Sequence, residues 1–177
     1  MSDSVAVGAT HAVPAHHEEL GFWRTYVFST DHKMIGRQFL FLGFFMLVLG
    51  GLMAMMIRWE LAWPETAVPG LKWLPEPYAY EGIIPPQTYN MLFTIHATLM
   101  IFFVVMPIMV GCFGNFLIPL MIGTRDMAFP TLNMLSFWVG LLAGLVMLTG
   151  FFVPGGHAAS GWTAYAPLSA KAAYTGV

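Results

Sequence analysis

The stretch QFLFLGFFMLVLGGLMAMMI, residues 38–57, fills the interval between Arg37 and Arg58, and none of its twenty side chains ionises. Hydrocarbon about 30 Å thick takes about 20 apolar residues to cross as a helix, so this run has the length of one crossing. Backbone amides in lipid must be satisfied within a helix or a closed barrel, and the run lacks the in-and-out alternation of a barrel strand. It therefore reads as a membrane helix spanning 38–58.

Two more spans follow it. From Gly82 to Thr124 there is no Asp, Glu, Lys or Arg, and the core YNMLFTIHATLMIFFVVMPIMVGCF, residues 89–113, places a second helix at 88–114. After Asp126 the chain is again free of full charges as far as Lys171, and TLNMLSFWVGLLAGLVMLTGFFV gives a third helix at 131–153. The expected fold class is an all-α membrane protein with three transmembrane helices.

Composition agrees with this reading. Of 177 residues 58% are hydrophobic and 9% charged, with mean hydropathy +0.70, which excludes an ordinary water-soluble globule. Seven basic against nine acidic side chains give a net charge of −2, so no basic field invites nucleic acid. The single cysteine, Cys112, permits no disulfide framework within the chain.

The segments between the spans sort by chemistry. Residues 1–20 are small, polar and His-containing and read as a flexible tail; Met1 to Thr10 show no charged region leading into an apolar one, so no cleavable signal is expected. Residues 21–37 mix aromatics with charges and suit an interfacial helix in the headgroup layer. The Pro-rich segment 59–87 reads as an outer loop, 115–130 as an inner loop and 154–177 as a second outer loop. Arg24, Lys33, Arg37 and Arg125 on one side, against Arg58, Lys72 and Lys171 on the other, favour a cytoplasmic N-terminus.

His96 is the residue that composition leaves unexplained, because an ionisable ring inside a span is costly. It reads either as a ligand or proton carrier, or as a neutral histidine bonded to a neighbouring helix. Leu92, Leu99, Met100, Phe103 and Pro107 share its helical face, an apolar wall that suits a flat macrocycle or ordinary helix packing. Arg58 lies toward the same side of the membrane as His96 and reads as an interface anchor or a contact to a large ligand. At the opposite mouth Asn115, Arg125, Asp126 and Asn133 cluster in sequence. They could hold a chain of waters with Asp126 as the collecting acid; alternatively Asp126 pairs with Arg125 and Asn133 serves the turn into the third helix.

These residues carry a resemblance. FSTDHKMIG before the first span, MIRWEL at its end, TYNMLFTIHATLMIFFVVMPIMVGCFGNFLIPLMIGTRDMAFPTLNMLSFW across the second and third, and GWTAYAPL after them resemble subunit I of haem-copper terminal oxidases. The match runs from about Phe22 to Leu168 and covers the first three of about twelve helices that the family ordinarily has. It implies that His96 is an axial ligand of a low-spin haem a, that Arg58 bonds the haem formyl group, and that Tyr89 lies near that haem. It further implies that Trp162 approaches the haem propionates and that Glu60 serves an outer calcium or sodium site. Asp126 resembles the entrance acid of a D-type proton pathway, with Asn115 and Asn133 as its nearby asparagines.

Two departures bear on function. Where the family often has a second asparagine, Asn133 is followed by Met134. Quinol-oxidising relatives carry an acid four residues after the arginine, and His and Gln eight and five residues before the haem-ligating histidine; here Ala62, Thr88 and Met91 stand there. The resemblance thus implies part of a cytochrome c oxidase, which reduces oxygen to water and translocates protons in a bacterial cell membrane. Its partners would be the remainder of subunit I with the high-spin haem and copper, subunits II and III, cytochrome c and membrane lipid. A quinol oxidase, or a non-catalytic anchor or assembly subunit, are the alternatives.

Overall fold

A computed structural model describes residues 21–76, 78–153 and 157–170, all helix, turn and loop apart from one isolated bridge between Tyr80 and Ile83. The expected tail 1–20, residues 154–156 and the end of the last outer segment, with Lys171, lie outside the described residues. Three helices are long and apolar enough to cross a membrane: His32–Ala62, Pro86–Ile122 and Pro130–Phe152.

The first helix begins earlier than its charge-free run. Asp31 caps it, its carboxylate accepting from the Lys33 N–H at 3.2 Å, and such a cap satisfies one of the donors left open at a helix start. That cap divides the expected interfacial helix 21–37. Its front part is a single wide turn, Trp23–Val27, and its back part is already the first helix. Gln38 Nε2 folds the front part against the helix by donating to Tyr26 O at 2.7 Å and Val27 O at 3.0 Å. At 31 residues the helix is about 46 Å long, longer than the roughly 30 Å of hydrocarbon in a bilayer.

The second helix also outruns its expected bounds, absorbing Asn115–Ile122 from the segment read as an inner loop. From Met100 to Val105 and from Pro107 to Gly114 its backbone bonds widen to the π pattern. Pro107 supplies no N–H, and lipid supplies no water, so the freed carbonyls are served by relaid backbone bonds. The helix stops at Gly123, whose φ of 70° is the left-handed end that glycine adopts without cost. Only residues 123–129 remain as loop before Pro130 opens the third helix.

Packing centres on one stripe of the first helix. His32, Ile35, Phe39, Leu42, Met46, Met53 and Ile57 are buried at intervals of three, four or seven, with Gly36, Gly43 and Gly50 on the same stripe, while Phe41, Phe44, Phe45, Val48, Leu52 and Met55 stay exposed. A Cβ on Gly43 would meet the Ile108 side chain at 2.5 Å. Small residues of this kind let helices approach in lipid, where apolar side chains gain little by leaving an equally apolar solvent. The third helix rests on this pair by Phe137, edge-on to Phe39 at 5.3 Å, and by Gly144 against Met46 and Phe103. The rest of Pro130–Thr149 is at least partly accessible.

Candidate functional site

The structure supplies a partner for His96 that the sequence reading does not include. Its Nδ1 lies 2.9 Å from the carbonyl oxygen of Gly50 on the first helix. A carbonyl only accepts, so Nδ1 carries the proton and Nε2 keeps its lone pair. Nε2 has no hydrogen bond among the described residues. The approach depends on Gly50, because a Cβ there would stand 2.7 Å from Met100 Sδ and 3.1 Å from Leu99 Cδ2. A backbone acceptor on one nitrogen with the other left free is how proteins orient a metal-ligating imidazole, so His96 fits half the axial ligation of a haem.

The other residues on this side are spread out. Arg58 is exposed and lines a shallow surface pocket of about 370 Å³ with Met55, Trp59, Leu61, Ala62 and Trp63, without His96. Tyr89 is half-buried against the core. Trp162 stands edge-on to Phe102 at 6.3 Å. Its segment is fastened by Thr94, whose buried hydroxyl donates to Asn90 O at 2.8 Å and accepts from Gly161 N–H at 3.0 Å. Glu60 Oε1 accepts from the Glu65 N–H at 3.2 Å, and its buried Oε2 has no partner among the described residues. Among those residues no three His, Cys, Asp or Glu side chains converge.

At the other mouth the pairing of Asp126 with Arg125 does not form. Asp126 Oδ1 instead accepts from Met127 N–H at 2.8 Å and faces His32 Nδ1 at 3.0 Å, while Arg125 makes no ion pair among the described residues. His32 is 4% exposed, on the first turn of the first helix, so it ties that helix start to the loop between the second and third. Nor does the Asn133 side chain serve its helix start. Its Nδ2 donates to Asn115 Oδ1 at 2.5 Å, and Asn115 Nδ2 in turn donates to Gly111 O. The two amides therefore cross-link the second and third helices, and no hydrogen bond joins them to Asp126 among the described residues.

A cavity of about 430 Å³ lies near the Arg58 end, between all three helices and the Pro-rich loop. Thr88 and Met91 line it; His96 and Arg58 do not.

Gly50, His32 and Thr94 were absent from the sequence-derived candidates. The spacing of Gly36, Gly43 and Gly50, seven apart, was a usable signal for a close helix seam. Nothing local marks His32 as the partner of a residue 94 positions away, or Thr94 as that of one 67 away.

The chain is 41% identical over 164 residues to cytochrome c oxidase subunit 1 of Thermostichus vulcanus, covering 93% of this chain and 27% of the relative. It is 43% identical over 147 residues to a putative cytochrome c oxidase subunit 1-beta of Streptomyces coelicolor, covering 83% and 22%, and 43% identical over 141 residues to cytochrome c oxidase subunit 1 of Corynebacterium glutamicum, covering 80% and 21%. The chain thus spans between a fifth and somewhat over a quarter of the length of these relatives. The family model for cytochrome c and quinol oxidase polypeptide I matches residues 34–177, which include the glycine seam, His96 and Asp126, and the chain belongs to that family.

Proposed function

We propose that the chain is the N-terminal portion of a cytochrome c oxidase subunit I, contributing to electron transfer from cytochrome c to oxygen and to proton translocation. The observation that supports this reading is the Nδ1 bond from His96 to Gly50 O, which leaves the Nε2 lone pair available to a metal. When bound, low-spin haem a supplies one-electron transfer, tuned by axial ligand, hydrogen bonding and burial. His96 would hold the haem iron through Nε2, and a further ligand would come from the remainder of the protein. Arg58, on the last turns of the first helix, would serve the formyl edge. Thr94 fixes the segment that carries Trp162, which would approach the haem propionates, and Tyr89 would pack beside the same cofactor.

Asp126 collects protons at the opposite mouth, where it is exposed to water and steadied by His32. Asn115 and Asn133 provide amide dipoles further in. Glu60 contributes one carboxylate to a calcium or sodium site completed by other segments. The high-spin haem, copper, subunits II and III and the docking of cytochrome c belong to the rest of a multi-pass complex in the bacterial cell membrane, with the Asp126 end cytoplasmic.

The donor reading is supported by the cavity near Arg58. Thr88 and Met91 line it where quinol-oxidising relatives place His and Gln, and Ala62 replaces their acid, so a quinol ring would lose the polar contacts that hold it. His96→Ala in the assembled complex should abolish the low-spin haem band in the reduced-minus-oxidised spectrum; an unchanged band refutes the ligand role and favours a cofactor-free anchor. Supplying reduced cytochrome c and quinol separately tests the donor, and preference for quinol overturns that part.

A further inference from the structure

We propose that Thr94 is a positioning residue for Trp162: its hydroxyl locks the turn that carries the indole onto the helix that carries His96. The lock is a relay of three groups. Gly161 N–H donates to Thr94 Oγ1 at 3.0 Å, and the same hydroxyl gives its own hydrogen to Asn90 O at 2.8 Å. A hydroxyl has one hydrogen and two lone pairs, so donating along its own helix leaves it free to accept from the turn. Thr94 is 7% exposed, which shields the relay from competition by water.

Among the described residues this is the one hydrogen bond from 157–170 to the helices; the other attachments are ring contacts, His157 on Phe151 and Trp162 on Phe102. Steps of four keep Thr94 and Phe102 near one face of the second helix, together with Thr98, whose hydroxyl donates to Thr94 O at 2.9 Å. Gly161 and Trp162 are neighbours in the chain, so a backbone bond at Thr94 and a ring contact at Phe102 fix the indole at both ends. Gly161 has a φ of 84°, the left-handed region that glycine enters without strain. His96 is two residues beyond Thr94, about 200° round the helix, so the lock is separate from the bond between His96 and Gly50 O. The indole N–H of Trp162 has no hydrogen bond among the described residues, which leaves a donor open. Its role rests on the reading that Trp162 would meet the haem propionates, where a fixed donor steadies carboxylate charge and a loose one does not.

Hydrogen exchange and redox titration of the assembled complex test the lock. Thr94→Val keeps the side-chain shape and removes the hydroxyl. Amide exchange across 158–165 should quicken about tenfold, the upper weight of one hydrogen bond. The haem midpoint potential should fall as it does in Trp162→Phe, because a carboxylate without its donor favours the oxidised, more positive haem. The low-spin haem band should persist. Thr94→Ser, which keeps the hydroxyl, should restore parental exchange and potential, and the double variant of Thr94→Val with Trp162→Phe should titrate like Trp162→Phe alone. Parental exchange in Thr94→Val overturns the lock. Quickened exchange with an unchanged potential, or a further fall in the double variant, overturns its action through Trp162. A low-spin band that survives His96→Ala overturns the haem reading but leaves the exchange result standing, so the two failures are distinguishable.

Discussion

His96 and Asp126 stand at different depths of one bundle and are held by different kinds of partner. His96 is inside a span, and its orienting bond goes to a backbone carbonyl, Gly50 O. Asp126 is on an exposed loop, and its orienting contact is a side chain, His32. In lipid an unmet donor has no water to fall back on, so a fixed acceptor from a neighbouring helix is the economical solution. At the mouth water is at hand, and a side-chain partner adjusts a group that would be solvated anyway. The inner site should therefore fail abruptly when its packing changes, and the outer one by degrees.

The largest effect is expected at the seam. In Gly50→Val the new methyl groups press on Met100 and Leu99, already 2.7 and 3.1 Å from a Cβ. Overpacking of this kind costs about 1–3 kcal/mol, and the low-spin haem band should be lost although His96 is intact. Gly50→Ala, where the flexible Met100 end can shift, should retain most of the band. If valine leaves the spectrum unchanged, the carbonyl does not orient the ring and the contrast between the two sites fails.

Next comes Asp126→Asn, which should slow turnover and proton uptake by about a hundredfold, the lower range for loss of a positioned proton-transferring group. Stopped-flow proton uptake by the assembled complex checks it, and parental rates would reduce the cluster to structure. His32→Gln should be milder, because its hydrogen bond to a half-exposed carboxylate is worth about 1 kcal/mol after solvent screening. Uptake should fall several-fold, and the double variant should fall no further than Asp126→Asn alone; additive losses would mean that His32 acts independently of the acid.

The smallest effect sharpens the comparison with a third histidine. His157, in the segment after the third helix, is edge-on to Phe151 at 4.4 Å, and its buried Nε2 has no partner among the described residues. Burial pushes its pKa below the ordinary 6.5. Below that ordinary value the unfolded segment binds the proton and the folded one does not, so local stability is full above about 6.5 and declines as pH falls through it. Amide exchange across residues 150–153 and 157–165 should quicken on acidification, and His157→Phe should flatten the dependence. A pH-independent pattern in the parent would place the ring in water.

Much of this was legible in the chain itself, and the boundaries were not. The third helix, Pro130–Phe152, follows its apolar run because Pro130 opens it and hydropathy closes it. The first two helices run beyond their apolar runs, since a cap at Asp31 and a left-handed stop at Gly123, rather than the edge of the oil, set where helical bonding begins and ends. His96 and Asp126 stood out as an ionisable group in a span and an acid at a mouth. Their partners did not, because a carbonyl has no sequence signature and His32 is far away in the chain.

The order of residues alone determined three helices long and apolar enough to cross a membrane, since in hydrocarbon a run of about twenty residues without charge can satisfy its backbone as a helix. It also placed an imidazole inside one of them and a carboxylate outside. Tertiary structure decided which nitrogen of that imidazole is free, that the acid faces a buried histidine instead of Arg125, and that Thr88 and Met91 line an apolar cavity. Those are relations between segments brought together only when the glycine seam lets the helices close, and distance along the chain does not encode them.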